Sequence, residues 1–293
     1  MAGQANKQSR TRKDRGDENR AASRAVAADD QMAKEAVDPR LFIAGVGKTF
    51  AVLKAFYNQH APLSLTEIAG RTGIGRSAAQ RFVYTLKTLG YLHQDPQTKR
   101  YTLTPKVVDF AHAYLRNDPL LERAFPYLLE ASKQTDETVN LTRLDGAEVI
   151  FLSRFPSRNV ISADLVIGSR LPAFCTSPGR AMLAHLDERE AQHLLTTFPR
   201  EARTEHTITD LALILQRLET VRRNGFETAL QESFYGDLSV AAPVFGYKGE
   251  VIAAVNIAVP TPRWSAESLV DKLAPVVIET ARAISGALKS KAP

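Results

Sequence analysis

Residues Leu63–Leu92 read LSLTEIAGRTGIGRSAAQRFVYTLKTLGYL. Leu65, Ile68 and Ala69 share one side of a first helix. Thr72-Gly73-Ile74-Gly75 interrupts it, and Ala78, Ala79, Phe82, Val83, Leu86 and Leu89 resume the helical period. Two short helices about a tight turn are a helix-turn-helix signature. The second helix carries Arg76, Ser77, Gln80, Arg81 and Tyr84 away from its apolar stripe, which places donors where a recognition helix meets base edges. Taken alone, such a helix is equally compatible with an ordinary solvated surface. The next residues, HQDPQTKRYTL, shift the balance: Tyr91-Leu92-His93 and Arg100-Tyr101-Thr102-Leu103 alternate as paired strands around the turn-rich Asp95-Pro96-Gln97-Thr98. A basic wing beside a recognition helix predicts phosphate contacts from Lys99 and Arg100, with sequence discrimination left to the helix.

Working outward, Val46, Phe50, Val52, Leu53, Ala55 and Phe56 recur at helical spacing and predict a first helix packed under the pair, within a winged helix-turn-helix unit of residues 40–104. Pro105 opens an amphipathic segment in which Val107, Val108, Phe110, Ala111, Tyr114 and Leu115 lie along one side, read as a linker helix over 105–119 that Asn117-Asp118-Pro119 ends. Its apolar face is a candidate dimer contact, because two recognition helices must sit about 34 Å apart to read a palindrome. Met1 to Pro39 is polar and charged with almost no large apolar side chains, and is expected to be a disordered basic arm. Arg10, Arg12, Lys13 and Arg15 there would either add non-specific affinity for DNA or only solubilise the chain.

The 293 residues and 44% hydrophobic content suffice for two cores. A net charge of +6 favours polyanionic partners without requiring them. No apolar run reaches the length of a bilayer span and the N-terminus lacks a secretory core, so a cytoplasmic protein with no membrane partner is expected. Cys175 alone excludes an internal disulfide and a cysteine-based zinc site. His112, His185, His193 and His206 show no metal-binding spacing, so neither metal nor cofactor is expected.

From residue 120 to 293 helical and strand-like segments succeed one another. Leu120–Thr135 is helical, and Thr138–Leu144 and Glu148–Phe155 pair across Asp145-Gly146. Helices follow at Ala181–His185, Glu188–Thr196 and Leu211–Arg223, then strands near Phe226–Leu230, Leu238–Phe245 and Val251–Val259, and a last helix from Ala266 to Leu288. This predicts an α+β domain around an antiparallel sheet, an architecture that often encloses a small ligand. Ser177 is a good N-cap and Pro178 suits the first helical position, so a helix with unpaired amides begins there: either a carboxylate site or an ordinary capped helix. Cys175 offers a second reading, a nucleophile in a hydrolase or transferase, although no histidine is placed to activate it. A third reading is a DNA-binding adaptor whose second domain binds protein through an exposed apolar patch.

The chain resembles the isocitrate lyase regulator (IclR) family of bacterial transcription factors. The likeness runs from Phe42 to Ser285 through LSLTEIAGRTGIGRSAAQR, YTLTPKVVDFAHAYL, GSRLPAFCTSPGRAMLAHL, TITD, Val221–Gly225 and SVAAPVFGYKGEVIAAVNIAV. The opening FIAGVGKTFAVLKAF is similar to the branch of protocatechuate and hydroxybenzoate regulators, which govern aromatic acid breakdown. The resemblance implies a winged helix, a linker helix, a GAF-like effector domain, dimers that often pair into tetramers, and transcription controlled by a small organic acid. An aromatic carboxylate is the first expectation and a short aliphatic keto-acid the second. By matching motif positions it implies a pocket of Ala163, Ser177, Pro178, Ser239, Asn256 and Ala258, with Gln231 and Arg154 as weaker candidates. Relatives carry an acidic run before a G-L-R-S-I-A strand. Here ALQESFYGDLS stands in its place and Leu238 replaces the usual arginine, which implies a different ligand.

Overall fold

The computed structural model describes Asp38 and residues 40–57, Gln59, 61–158 and 165–290. The proposed basic arm, apart from Asp38, and Ala163 lie outside the described residues. Two compact units meet in sequence between Tyr114 and Leu115.

The first unit opens with α1 (Ala44–Lys54), α2 (Leu65–Thr72) and α3 (Arg76–Thr88). Ser64 caps α2 reciprocally: its hydroxyl accepts from the Glu67 amide at 3.2 Å while its own amide donates to the Glu67 carboxylate at 2.7 Å. Gly73, at φ 65°, ends α2 in the left-handed region that makes the turn into α3. Val52, Phe56, Leu63, Ile68, Val83, Leu86, Leu92 and Tyr101 form the core. Strands β1 (Leu92–Gln94) and β2 (Tyr101–Leu103) pair antiparallel, with Leu92 opposite Leu103, as the expected wing.

Three residues assigned to the buried stripes face outward instead. Val46 and Phe50 are exposed while Val52, Ala55 and Phe56 are buried, because positions two apart lie about 200° round a helix and α1 can turn only one of its two apolar faces inward. Leu89 lies past the last turn of α3 and is also exposed. A short 3₁₀ turn (Pro105–Val107) leads into α4 (Val108–Asn117), which has no buried residue; Val108, Phe110 and Tyr114 are all exposed.

The second unit begins at α5 (Pro119–Thr135), capped by Asp118, whose carboxylate accepts from the Leu120 amide at 2.9 Å. Its six strands are β3 (Thr138–Asp145), β4 (Glu148–Phe155), β5 (Arg170–Pro172), β6 (Glu227–Leu230), β7 (Asp237–Phe245) and β8 (Val251–Pro260). They form one antiparallel sheet in the order β5-β4-β3-β8-β7-β6. On one face Val139, Leu141, Val240, Val255 and Ile257 pack with α5 and the long α9 (Ala266–Lys289). On the other, Phe151, Ala241 and Ala254 meet α6 (Ser177–Leu183), α7 (Glu188–Thr197) and α8 (Leu211–Asn224). Side chains alternate between faces with period two, so Asp237, Ser239 and Ala241 share one face of β7 while Leu238, Val240 and Ala242 fill the opposite core. Leu238 therefore points away from the face on which a ligand was expected, and its departure from the family pattern alters core packing instead.

The three-residue β5 is too short to show periodicity in sequence. The start of α6 also differs from expectation. Thr176, not Ser177, is the cap, its hydroxyl accepting from the Gly179 amide at 3.2 Å. Ser177 opens the helix, and its hydroxyl pairs with that of Ser239 at 2.8 Å.

Candidate functional site

Helix α3 buries Ala79, Val83 and Leu86 and turns Arg76, Ser77, Gln80, Arg81 and Tyr84 to solvent, so one face builds the core and the other is a row of donors. Gly75 caps this helix without a side chain, leaving its first-turn amides for solvent or a phosphate. In the wing, Asp95 accepts from the amides of Gln97 and Thr98 at 2.9 and 2.6 Å. These bonds, Thr98 foremost, hold its carboxyl below the usual range and fix the turn. Lys99 follows at φ 58°, exposed. Arg100 is placed differently from its neighbour: its guanidinium donates to the Pro62 carbonyl at 2.8 Å and to Glu67 at 3.0 Å, bracing the wing against the start of α2.

The second unit holds a cavity of about 380 Å³ between the sheet and the segment after β6. Arg154, Asn256, Ser239, Ala258 and Pro178 from the sequence reading line it. Strand register explains the convergence: Arg154 on β4 stands opposite Asn140 on β3, which stands opposite Asn256 on β8. Arg154 donates to the Asn140 side chain at 3.0 Å; burial draws its pKa down and Asp237 opposes that shift. Ser177 meets the cavity wall only through Ser239. Gln231 is not on the wall: at φ 58° it folds back to accept from the Gly236 amide at 2.9 Å. Sequence reasoning missed Asp237, Glu232, Phe151 and Phe234, all on the wall. The signal for Asp237 was present, two residues before Ser239 on the same strand face. Burial pushes its carboxyl up to about 7, against the pull of Arg154.

Behind the wall lies Arg180, 0% exposed. It donates to Glu232 at 2.8 and 2.5 Å, to the Phe174 carbonyl at 3.1 Å and to the Thr228 carbonyl at 2.8 Å, with Glu227 at 3.6 Å. Desolvation pulls its pKa down, and the two glutamates more than reverse this. Arg217 holds Glu227 from the other side.

A donor-bearing recognition helix with a braced wing, and a separate sheet domain closing on a cavity with one arginine, match two family models. The IclR helix-turn-helix domain covers residues 45–96 and the bacterial transcriptional regulator IclR C-terminal model covers 112–286. The chain belongs to the IclR family. It is similar to the Pca regulon regulatory protein of Pseudomonas putida, 34% identical over 242 residues that span 82% of each chain. It is likewise similar to the p-hydroxybenzoate hydroxylase transcriptional activator of Acinetobacter baylyi, 34% identical over 245 residues, 82% of this chain and 90% of that one. A solved IclR family transcriptional regulator from Brucella abortus shares the fold at 27% identity and a TM-score of 0.73, over 85% of this chain and 94% of its own.

These IclR relatives are transcriptional regulators, and the present chain is one rather than an enzyme. The Cys175 alternative fails chemically as well. The thiol is buried, and desolvation pushes its pKa up to about 11, so almost no thiolate exists at neutral pH. Among the described residues no group of three or more His, Cys, Asp or Glu side chains is placed to hold a metal, and no helix is long and apolar enough to cross a membrane.

Proposed function

We propose that this regulator binds a double-stranded operator through Arg76, Ser77, Gln80, Arg81 and Tyr84, with Lys99 on the flanking phosphate, and that a small organic acid in the cavity sets its operator affinity. The cavity carries this reading: it offers one guanidinium for a carboxylate, Ser239 and Asn256 for polar substituents, and Phe151, Leu171 and Ala258 around the ligand's body. Its size suits an aromatic carboxylate better than a short aliphatic keto-acid, and the relatives' names support control of an aromatic-acid catabolic operon. A concave cavity of this size also favours a small ligand over a protein partner in this domain.

We assign residues 40–104 to operator binding, 105–119 to the linker and 120–293 to the effector domain. The exposed Val108, Phe110 and Tyr114 of α4 support a homodimer, or a tetramer built from it, working beside the chromosome in the cytoplasm. Differential affinity of the acid for two domain arrangements would then shift the spacing of the recognition helices.

A thermal-shift screen of aromatic acids and keto-acids tests the reading, since a ligand specific to the folded state raises Tm by mass action. Ser239→Phe should abolish the saturable shift while retaining basal operator binding. A normal ligand response in that variant removes Ser239 from the site, and a flat screen against the wild type removes the acid.

A further inference from the structure

The TITD motif, Thr207 to Asp210, lies outside the cavity, and no residue from Arg203 to Asp210 lines it. Asp210 serves its own helix, capping α8 by accepting from the Leu213 amide at 2.9 Å. Thr207 faces elsewhere, towards the segment that joins β6 to β7. Residues 231–236 form a strap there, and five of the six, Glu232 to Gly236, line the cavity. None of the six takes part in the strand pairing of β6 with β7 or of β7 with β8. Gln231 at φ 58° and Gly236 at φ 78° turn the strap in the left-handed region, which a glutamine holds only under constraint from its surroundings. The shape of this part of the wall therefore depends on contacts from other segments.

Those contacts come from two sides. From within the domain, Arg180 holds the Glu232 carboxylate and the Ser233 hydroxyl donates to the Cys175 carbonyl at 2.9 Å. From the far side, residues 203–208 grip three consecutive strap carbonyls. The Thr204 hydroxyl donates to the Gln231 carbonyl at 2.7 Å, the Thr207 hydroxyl to the Glu232 carbonyl at 2.7 Å, and Arg203 Nε to the Ser233 carbonyl at 3.3 Å. The Ile208 amide donates to the Glu232 carboxylate at 3.3 Å, and the Arg203 guanidinium lies 5.4 Å from the centre of the Phe234 ring.

Proton bookkeeping gives these bonds their direction. Each hydroxyl has one proton. The Thr207 oxygen accepts from the amides of Arg203 and Thr204 at 3.0 and 2.9 Å, so its proton is directed to the strap. The Thr204 oxygen accepts from the His206 amide at 3.1 Å, and its proton is directed there too. The turn is thus wound around the same hydroxyls that hold the strap. We propose that Thr204 and Thr207 are positioning residues of the cavity, fixing residues 232–236 from outside it and thereby setting the affinity of whatever acid it holds. The effect on affinity rests on the cavity being the effector site, whereas the grip on the strap does not.

Hydrogen exchange of the full chain, read by mass spectrometry, tests the grip without a ligand. Thr207→Val keeps the side chain's volume and removes its hydroxyl, and Thr207→Ser restores it. Strap peptides should exchange about tenfold faster in Thr207→Val while β8 peptides keep wild-type protection, and Thr207→Ser should return the strap to the wild-type rate. Calorimetric titration with 4-hydroxybenzoate, a probe of the proposed acid class, should show affinity about tenfold weaker in Thr207→Val and recovered in Thr207→Ser. Unchanged strap exchange, or equal acceleration of strap and β8, overturns the proposal. Faster strap exchange with unaltered affinity overturns the positioning role. If neither this probe nor any screened acid binds the wild type, the effector reading falls and exchange alone decides the grip. Should Thr207→Val not fold, Thr204→Val, which removes only the hydroxyl on the Gln231 carbonyl, carries the same comparison.

Discussion

Arg81 and Arg180 are the same side chain put to opposite uses. Arg81 stands in solvent on α3, beside other exposed donors, and contributes nothing to the core that its helix builds. Arg180 is wholly enclosed, holding two glutamates and two carbonyls behind the cavity wall. The first unit keeps its exposed donors outside its scaffold, so on the proposed reading function and stability are carried by different faces of one helix. The second folds charge into the scaffold itself, so the wall that shapes the cavity also holds the domain together.

Substitutions that separate the two uses give the sharpest tests. Arg180→Ala would strand Glu232 and Glu227 inside the domain, and removing one partner of a buried ion pair typically costs about 3–5 kcal/mol. Denaturant titration should show a loss of that order, and a loss below about 1 kcal/mol would mean that the network contributes little. Arg81→Ala should do the reverse, lowering operator affinity by about 1–3 kcal/mol while stability stays within about 0.5 kcal/mol. Equal losses in both measurements would erase the contrast.

Asp237 sharpens the comparison through pH. Its carboxyl, ordinarily near 3.8, titrates near 7 in the folded chain, so between these values the native state holds a proton that the unfolded state has released. Its contribution to stability is therefore full below about pH 4 and declines as pH rises towards 7, by on the order of 4 kcal/mol. Asp237→Asn should remove that decline from the pH dependence of unfolding, whereas an unchanged profile would show that the group titrates normally. The smallest contrast lies within the wing. Lys99→Ala should reduce the salt slope of operator binding by about one. Arg100→Ala should instead cost about 1 kcal/mol of stability through its lost contacts with Pro62 and Glu67. Exchange of these two outcomes would reverse their roles.

The two regions were also unequally legible. Thirty consecutive residues contain the helix-turn-helix, and its caps, glycine turn and apolar period are local, so those elements and the exposed donors follow from short-range rules. The errors there concern faces, as at Val46 and Phe50, because α1 is apolar on two sides and sequence does not say which one the core takes. The cavity gathers residues from Thr138 to Pro260, and only strand register brings Arg154, Asn140 and Asn256 side by side. Family motifs supplied Ser239, Asn256 and Ala258. Asp237 adjoins the missing arginine at 238, whose side chain belongs to the opposite face, and only strand alternation tells the two apart. Nothing in the run Ser177-Pro178-Gly179-Arg180 announces that the arginine is buried, since its partners Glu227 and Glu232 lie about fifty residues on.

Gly179 closes the account of this wall. A Cβ at that position would lie 2.2 Å from the Ala173 carbonyl oxygen, so no other residue fits without moving the backbone beneath the cavity. Next to it Arg180 is fixed by its partners. Asp237, Ser239 and Asn256, by contrast, are buried or half-buried but turn towards the cavity, where a changed side chain meets open volume before it meets backbone. Tolerance to change is thus divided: the floor at Gly179 admits no Cβ without a backbone shift, while replacements on the wall alter the lining of the cavity. On the proposed reading, a scaffold partitioned in this way could change its ligand one mutation at a time without first losing its fold.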